Sequence, residues 1–158
     1  MAALFNKSKN QRDAFSPARQ AGDTKPLVLV VEDHEDTYFL LNYLLEQRGC
    51  RVMEAKDGED AVRLAIAARP DLVLMDISLP HQDGLAAAWR MRQTDALREV
   101  PIVFLSGHAE ASFRAEALAQ GGDDYLVKPF TLDEIERMIE RYLGGRAAKV
   151  SSIERDLS

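Results

Sequence analysis

The stretch Asp71-Leu72-Val73-Leu74-Met75-Asp76-Ile77-Ser78-Leu79-Pro80-His81-Gln82-Asp83-Gly84 decides the fold. Its apolar run, Leu72 to Met75, is too short for a lone helix and is bounded by charge and by Pro and Gly. It therefore reads as a strand buried on both faces. Asp76 stands where that strand ends. In an open parallel sheet, chemistry collects outside the carboxyl ends of the strands, which makes Asp76 a candidate nucleophile. The bland alternative is an aspartate that opens a turn.

Working outward, Leu27-Val28-Leu29-Val30-Val31 is a second apolar, largely β-branched run, and it stops at Glu32-Asp33. From Glu35 to Gly49, Phe39, Leu40, Tyr43, Leu44 and Leu45 recur at helical spacing. Residues 51 to 55 form a weaker, half-polar run of the kind found at a sheet edge. Residues 58 to 68 place Ala61, Leu64, Ala65 and Ala68 on one helical face. After the Pro80–Gly84 loop, residues 85 to 93 predict a short helix in which Trp89 packs. Pro101 to Leu105 is the fourth strand, ending at Ser106-Gly107. A thin, Ala-rich helix spans 110 to 119, and Asp124 to Val127 is a short fifth strand ending at Lys128-Pro129. Thr131 and Glu134 form a capping box for a last helix with Leu132, Ile135, Met138, Ile139 and Tyr142 as its buried face.

Five strands alternating with five helices predict an α/β doubly wound parallel sheet with helices on both faces. The strands' apolar content predicts the order 2-1-3-4-5, with the second strand at an edge. Residues 1–26 are a polar N-terminal extension, 27–145 the folded domain, and 146–158 a short tail.

Composition narrows the function. The 158 residues are 46% hydrophobic, enough for one core. Cys50 is the single cysteine, so neither an internal disulfide nor a thiolate metal site is available. No run approaches a membrane span, and Met1 to Phe5 is too short for a signal segment; a cytoplasmic location without membrane insertion is expected. Residues 1–26 carry five Lys/Arg against two Asp and residues 146–158 three against two acids, which leaves 27–145 at −10 within a chain of net charge −6. That acidic body has no electrostatic footprint for nucleic acid.

The residues just past the strands are Glu32, Asp33, Asp76, Ser106 and Lys128, and the architecture brings them to one edge. Carboxylates crowded together need a cation, and an oxygen-only set suits Mg²⁺. A lysine beside them neutralises charge and points at a phosphate. Carboxylates, Mg²⁺, a hydroxyl and a lysine are the parts of phosphoryl transfer onto an aspartate.

At these residues the chain resembles the receiver domain of bacterial two-component response regulators. The acidic pair, Leu74-Met75-Asp76-Ile77-Ser78-Leu79-Pro80, Asp83-Gly84, Ser106-Gly107 and Asp124-Tyr125-Leu126-Val127-Lys128-Pro129-Phe130 occur in the family's order and spacing, over about residues 27 to 143. The resemblance implies a flavodoxin-like fold and a phosphorelay role with self-phosphorylation and self-dephosphorylation chemistry rather than an enzyme's turnover. Asp76 would accept the phosphoryl group from a sensor histidine kinase or a His-containing phosphotransfer protein. Asp33, Asp76 and the backbone carbonyl of Ser78 would hold Mg²⁺, with Glu32 acting mainly through water. Ser106 and Lys128 would bond phosphoryl oxygens, and Tyr125 would be an aromatic switch that swings inward.

The resemblance also implies an output surface made by the fourth helix, fifth strand and last helix, on a monomer or a phosphorylation-dependent dimer. Thirteen residues after Gly145 lead to the expectation of a stand-alone receiver with no output domain. His34, His81 and His108 are expected to line the entrance where a phosphohistidine partner docks. A flavodoxin-like cofactor protein is disfavoured by the acids that follow the first strand. An Asp-nucleophile phosphatase is disfavoured by Ser78 at the second acid's position. A phosphate-independent adapter would be expected to have lost part of the acidic pocket.

Overall fold

The computed structural model describes residues 25–79 and 84–144. Its elements run β1 (Leu27–Val31), α1 (Glu35–Gln47), β2 (Arg51–Ala55), α2 (Gly58–Ala68), β3 (Leu72–Asp76), α3 (Gly84–Arg92), a 3-10 turn (Asp95–Leu97), β4 (Ile102–Ser106), α4 (Ala111–Ala119), β5 (Asp124–Val127) and α5 (Leu132–Leu143). All strand pairs are parallel, in the order β2-β1-β3-β4-β5. The continuous apolar runs are the reason: β1, β3 and β4 are buried at every residue, as strands covered on both faces must be. The calls for residues 1–24 and 145–158, and for Pro80, His81 and Asp83, lie outside the described residues.

Side-chain alternation divides the core into two layers. Leu29, Val31, Val73, Met75 and Phe104 meet α2, α3 and Ala117 of α4 on one face. Val28, Val30, Leu72, Leu74, Val103 and Leu105 meet α1 and α5 on the other. Arg48, buried at the end of α1, reaches Glu136 and Glu140 of α5, the latter at 3.0 Å, and so ties the two helices together. Arg92 at the end of α3 donates to the carbonyls of Gly121, Leu97, Arg98 and Val100 and to Asp123 Oδ2. That single guanidinium joins α3, the 3-10 turn and the loop before β5.

Three packing expectations are corrected. In α1 the buried face is Leu41, Leu44 and Leu45, while Phe39, Leu40 and Tyr43 are exposed. The helix is apolar on more than one side, and its path over the sheet chooses the face. Trp89 is 52% exposed because Ala87, Ala88 and Met91 take the core face of α3. Leu132, the first residue of α5, also faces solvent. The Thr131 cap forms, its Oγ1 accepting from Glu134 N at 3.1 Å. The Glu134 carboxylate accepts the Thr131 hydroxyl at 3.2 Å.

Candidate functional site

Parallel pairing sets the strand ends side by side. Glu32 N donates to Ala55 O, Ile77 N to Leu105 O and Lys128 N to Ser106 O, each bond prolonging a ladder by a residue. Residues that leave the ladders there share one edge of the sheet. Glu32, Asp33, His34 and Asp76 each offer a ligand atom, and these atoms lie within 4.8 Å of one another. Lys128 Nζ donates to Glu32 Oε2 at 2.7 Å and lies 3.4 Å from Asp76 Oδ2. The Lys128–Pro129 peptide is cis.

The two oxygens of Asp76 differ. Oδ1 accepts from Ser78 N at 3.0 Å, while Oδ2 is buried with no hydrogen-bond partner. A buried carboxylate oxygen without a donor is costly unless a charge or ligand meets it. Burial, and then the neighbouring Glu32, push the Asp76 carboxyl above its ordinary value, with the Ser78 N–H and Lys128 working against them. Burial also pushes Glu32 up, but the bond from Lys128, the neighbouring Asp76 and the bond from the His34 N–H outweigh that and hold it below the ordinary value. His34 Nδ1 lies 3.1 Å from Glu32 Oε1 and 3.3 Å from Asp33 Oδ1. The bond to Glu32, followed by the charges of Asp33 and Glu32, raises the imidazole.

Ser106 ends β4, fully buried, and its Oγ accepts from His108 N at 3.0 Å. Tyr125, on β5, is buried too, and its hydroxyl donates to His108 O at 2.7 Å. The ring thus already points inward, where the sequence reading had it swing inward on activation. His108 stacks on Phe113, ring centroids 4.5 Å apart, outside the acidic cluster. Sequence reasoning placed His34 at the entrance, and the structure brings its Nδ1 against the Glu32 and Asp33 carboxylates. The adjacency of His34 to Glu32-Asp33, on the turn that caps α1, is the signal for that contact.

Residues 28–140 match the response regulator receiver domain family. The chain belongs to that family. As a receiver it is part of two-component signal transduction, and phosphoryl acceptance is the family's general function. The transcriptional regulatory protein PrrA of Mycobacterium tuberculosis is 37% identical over 131 residues, 83% of this chain and 55% of that protein. The alkaline phosphatase synthesis regulator PhoP of Bacillus subtilis is 36% identical over 73% of this chain and 48% of its own. The receiver chain spans about half the length of these curated relatives.

Among solved structures, the receiver domain of a sensor histidine kinase from Pseudomonas aeruginosa PAO1 is 37% identical with a TM-score of 0.71, covering 76% of this chain and 98% of that one. That structure has a magnesium ion coordinated in its active site cleft. The chemotaxis regulator CheY4 of Vibrio cholerae is 27% identical with a TM-score of 0.72, over 75% of this chain and 99% of that one. Among the described residues of this receiver, no helix is long and apolar enough to cross a membrane.

Proposed function

We propose that this receiver takes a phosphoryl group on Asp76 from a phosphohistidine of a sensor kinase or phosphotransfer protein. The observation that carries the reading is Asp76 Oδ2, buried, without a hydrogen-bond donor, and facing the Lys128 ammonium at 3.4 Å. Its lone pairs are free to attack phosphorus. The new O–P bond forms as the P–N bond breaks, and the imidazole leaves with that electron pair and gains a proton, giving an aspartyl phosphate. Lys128 and Ser106 are the donors for the phosphoryl oxygens; Ser106 must release its bond from His108 N or use its own proton to do so.

The donor set fits Mg²⁺. Glu32, Asp33 and Asp76 supply close carboxylate oxygens, and the turn that carries the Ser78 N–H to Asp76 keeps the Ser78 carbonyl next to them in sequence. Asp33, Asp76 and the Ser78 carbonyl would hold the ion directly, with Glu32 through water. Held there, Mg²⁺ would supply positive charge to offset the charge that accumulates on the transferring group. The exposed Phe39, Leu40 and Tyr43 of α1, which starts beside the acidic mouth, support docking of the partner. The output face is α4, β5 and α5, where α4 buries only Ala117 and is the element most easily displaced.

The test is incubation with a phosphorylated histidine kinase or acetyl phosphate in the presence of Mg²⁺, read by intact mass. Wild type should gain one phosphoryl group and Asp76→Asn none. Equal labelling of the variant overturns the assignment.

A further inference from the structure

The cation pocket holds one donor that is not an oxygen. His34 follows Glu32-Asp33 and caps α1, its carbonyl accepting from Tyr38 N at 3.0 Å. Its backbone N–H is fixed on Glu32 Oε1 at 3.2 Å. These two bonds hold the residue so that Nδ1, although the side chain is 70% exposed, lies over the carboxylates of Glu32 and Asp33. His34 therefore belongs to the same group of converging ligand residues as Asp76. In the same pocket Asp76 Oδ2 is buried without a hydrogen-bond donor, 3.4 Å from Lys128 Nζ.

We propose that His34 is a further ligand of this cation site through Nδ1, and that it makes the site prefer first-row transition ions such as Mn²⁺ and Ni²⁺ over Mg²⁺. The inference rests on the reading that Glu32, Asp33 and Asp76 hold a divalent cation. Mg²⁺ is a hard ion that favours oxygen and retains water, so an imidazole adds little to its binding. For borderline ions imidazole is a good ligand, and affinity at a mixed nitrogen and oxygen site rises from Mn²⁺ towards Ni²⁺. Nδ1 lies at hydrogen-bond distance from Glu32 Oε1; an entering ion takes the place of the Nδ1 proton, and the ring ligates with its remaining proton on Nε2. The carboxylates then provide the charge and the imidazole the discrimination. His108 offers the internal contrast, since its Nδ1 is 3.8 Å from Glu110 and it lies outside the cluster.

Calorimetric titration of the full chain with Mg²⁺, Mn²⁺ and Ni²⁺ tests this, with His34→Ala, His108→Ala and Asp33→Ala as variants. Wild type should bind Ni²⁺ most tightly. His34→Ala should weaken Ni²⁺ at least about tenfold, change Mg²⁺ less than about twofold, and abolish the nitrogen coupling in pulsed electron paramagnetic resonance of bound Mn²⁺. His108→Ala should leave all three unchanged. Unaltered Ni²⁺ affinity in His34→Ala, or an equal loss for all ions, overturns the role of His34 while leaving the Mg²⁺ reading in place. If Asp33→Ala changes binding of none of the ions, the cation reading itself fails, and the proposal with it.

Discussion

Lys128 gives its shortest ion pair to Glu32, at 2.7 Å, and not to Asp76, which lies at 3.4 Å. The side chain of Glu32 is fully buried, so an ionised carboxylate there depends on the ammonium. Lys128 is thereby shared between two acids, nearer to Glu32.

Replacing Lys128 by Met should leave both carboxylates without their cation. Breaking a buried ion pair costs about 3–5 kcal/mol, and partial exposure of Lys128 places the expected loss near about 2–3 kcal/mol. Urea unfolding measures it, and saturating Mg²⁺ should restore part of the loss. A midpoint equal to wild type without added Mg²⁺ would show that the pair carries no stability.

Asp76→Asn should raise stability when no divalent ion is added. Burial and Glu32 raise the folded-state pKa of Asp76, so the folded chain holds this proton more tightly than the unfolded chain. The associated stabilisation is present below the unfolded value, about 3.9, and is lost as pH rises through the folded one. At neutral pH the ionised side chain thus works against folding, and Asn removes that charge. Thermal unfolding should show a higher Tm for the variant at pH 7 and a narrowing gap on acidification. A less stable variant at pH 7 contradicts the assigned environment.

Gly84→Ala tests how α3 sets the end of β3. A Cβ on Gly84 would lie 2.2 Å from the Asp76 carbonyl oxygen and 2.8 Å from Met75 Cγ. Backbone has to move, at an expected cost of about 1–3 kcal/mol. Because the displaced residue is Asp76, calorimetry should also find weaker Mg²⁺ binding. Loss of stability with unchanged Mg²⁺ affinity would mean that the strain relaxes through α3 instead.

Ser106 and Tyr125 meet through one residue. The N–H of His108 bonds Ser106 Oγ, and its carbonyl accepts the Tyr125 hydroxyl. Ser106→Ala should still take phosphate on Asp76 but lose the amide shift changes across residues 110 to 125 that phosphorylation produces in wild type. Equal changes in both proteins would remove Ser106 from the coupling. Tyr125→Phe should cost about 1 kcal/mol, the net worth of its hydrogen bond.

The strand order and the strand-end residues were legible because continuous apolar runs identify buried parallel strands, and each run here stops at a polar group. Helix faces were less so. Phe39, Leu40 and Tyr43 fit a helical stripe as well as Leu41, Leu44 and Leu45 do, and only the sheet below α1 selects between them. Trp89 has the same ambiguity against the small residues of α3. Within the site, the residues were readable but their pairing was not. That Lys128 favours Glu32, and that Tyr125 is tied to the His108 carbonyl, depends on distances between elements remote in sequence.

The sheet order has a consequence for biosynthesis. Glu32, Asp33 and Asp76 follow β1 and β3, which are adjacent, while Lys128 follows β5, the edge strand formed last in the sequence. A nascent chain emerging from the ribosome can bring its acids together well before its amine has been made. Until β5 docks, the growing sheet carries an acid-only rim, and free divalent ions are its available counter-charge. Docking of the final strand supplies the amine that offsets part of this charge, before α5 closes the second face of the sheet.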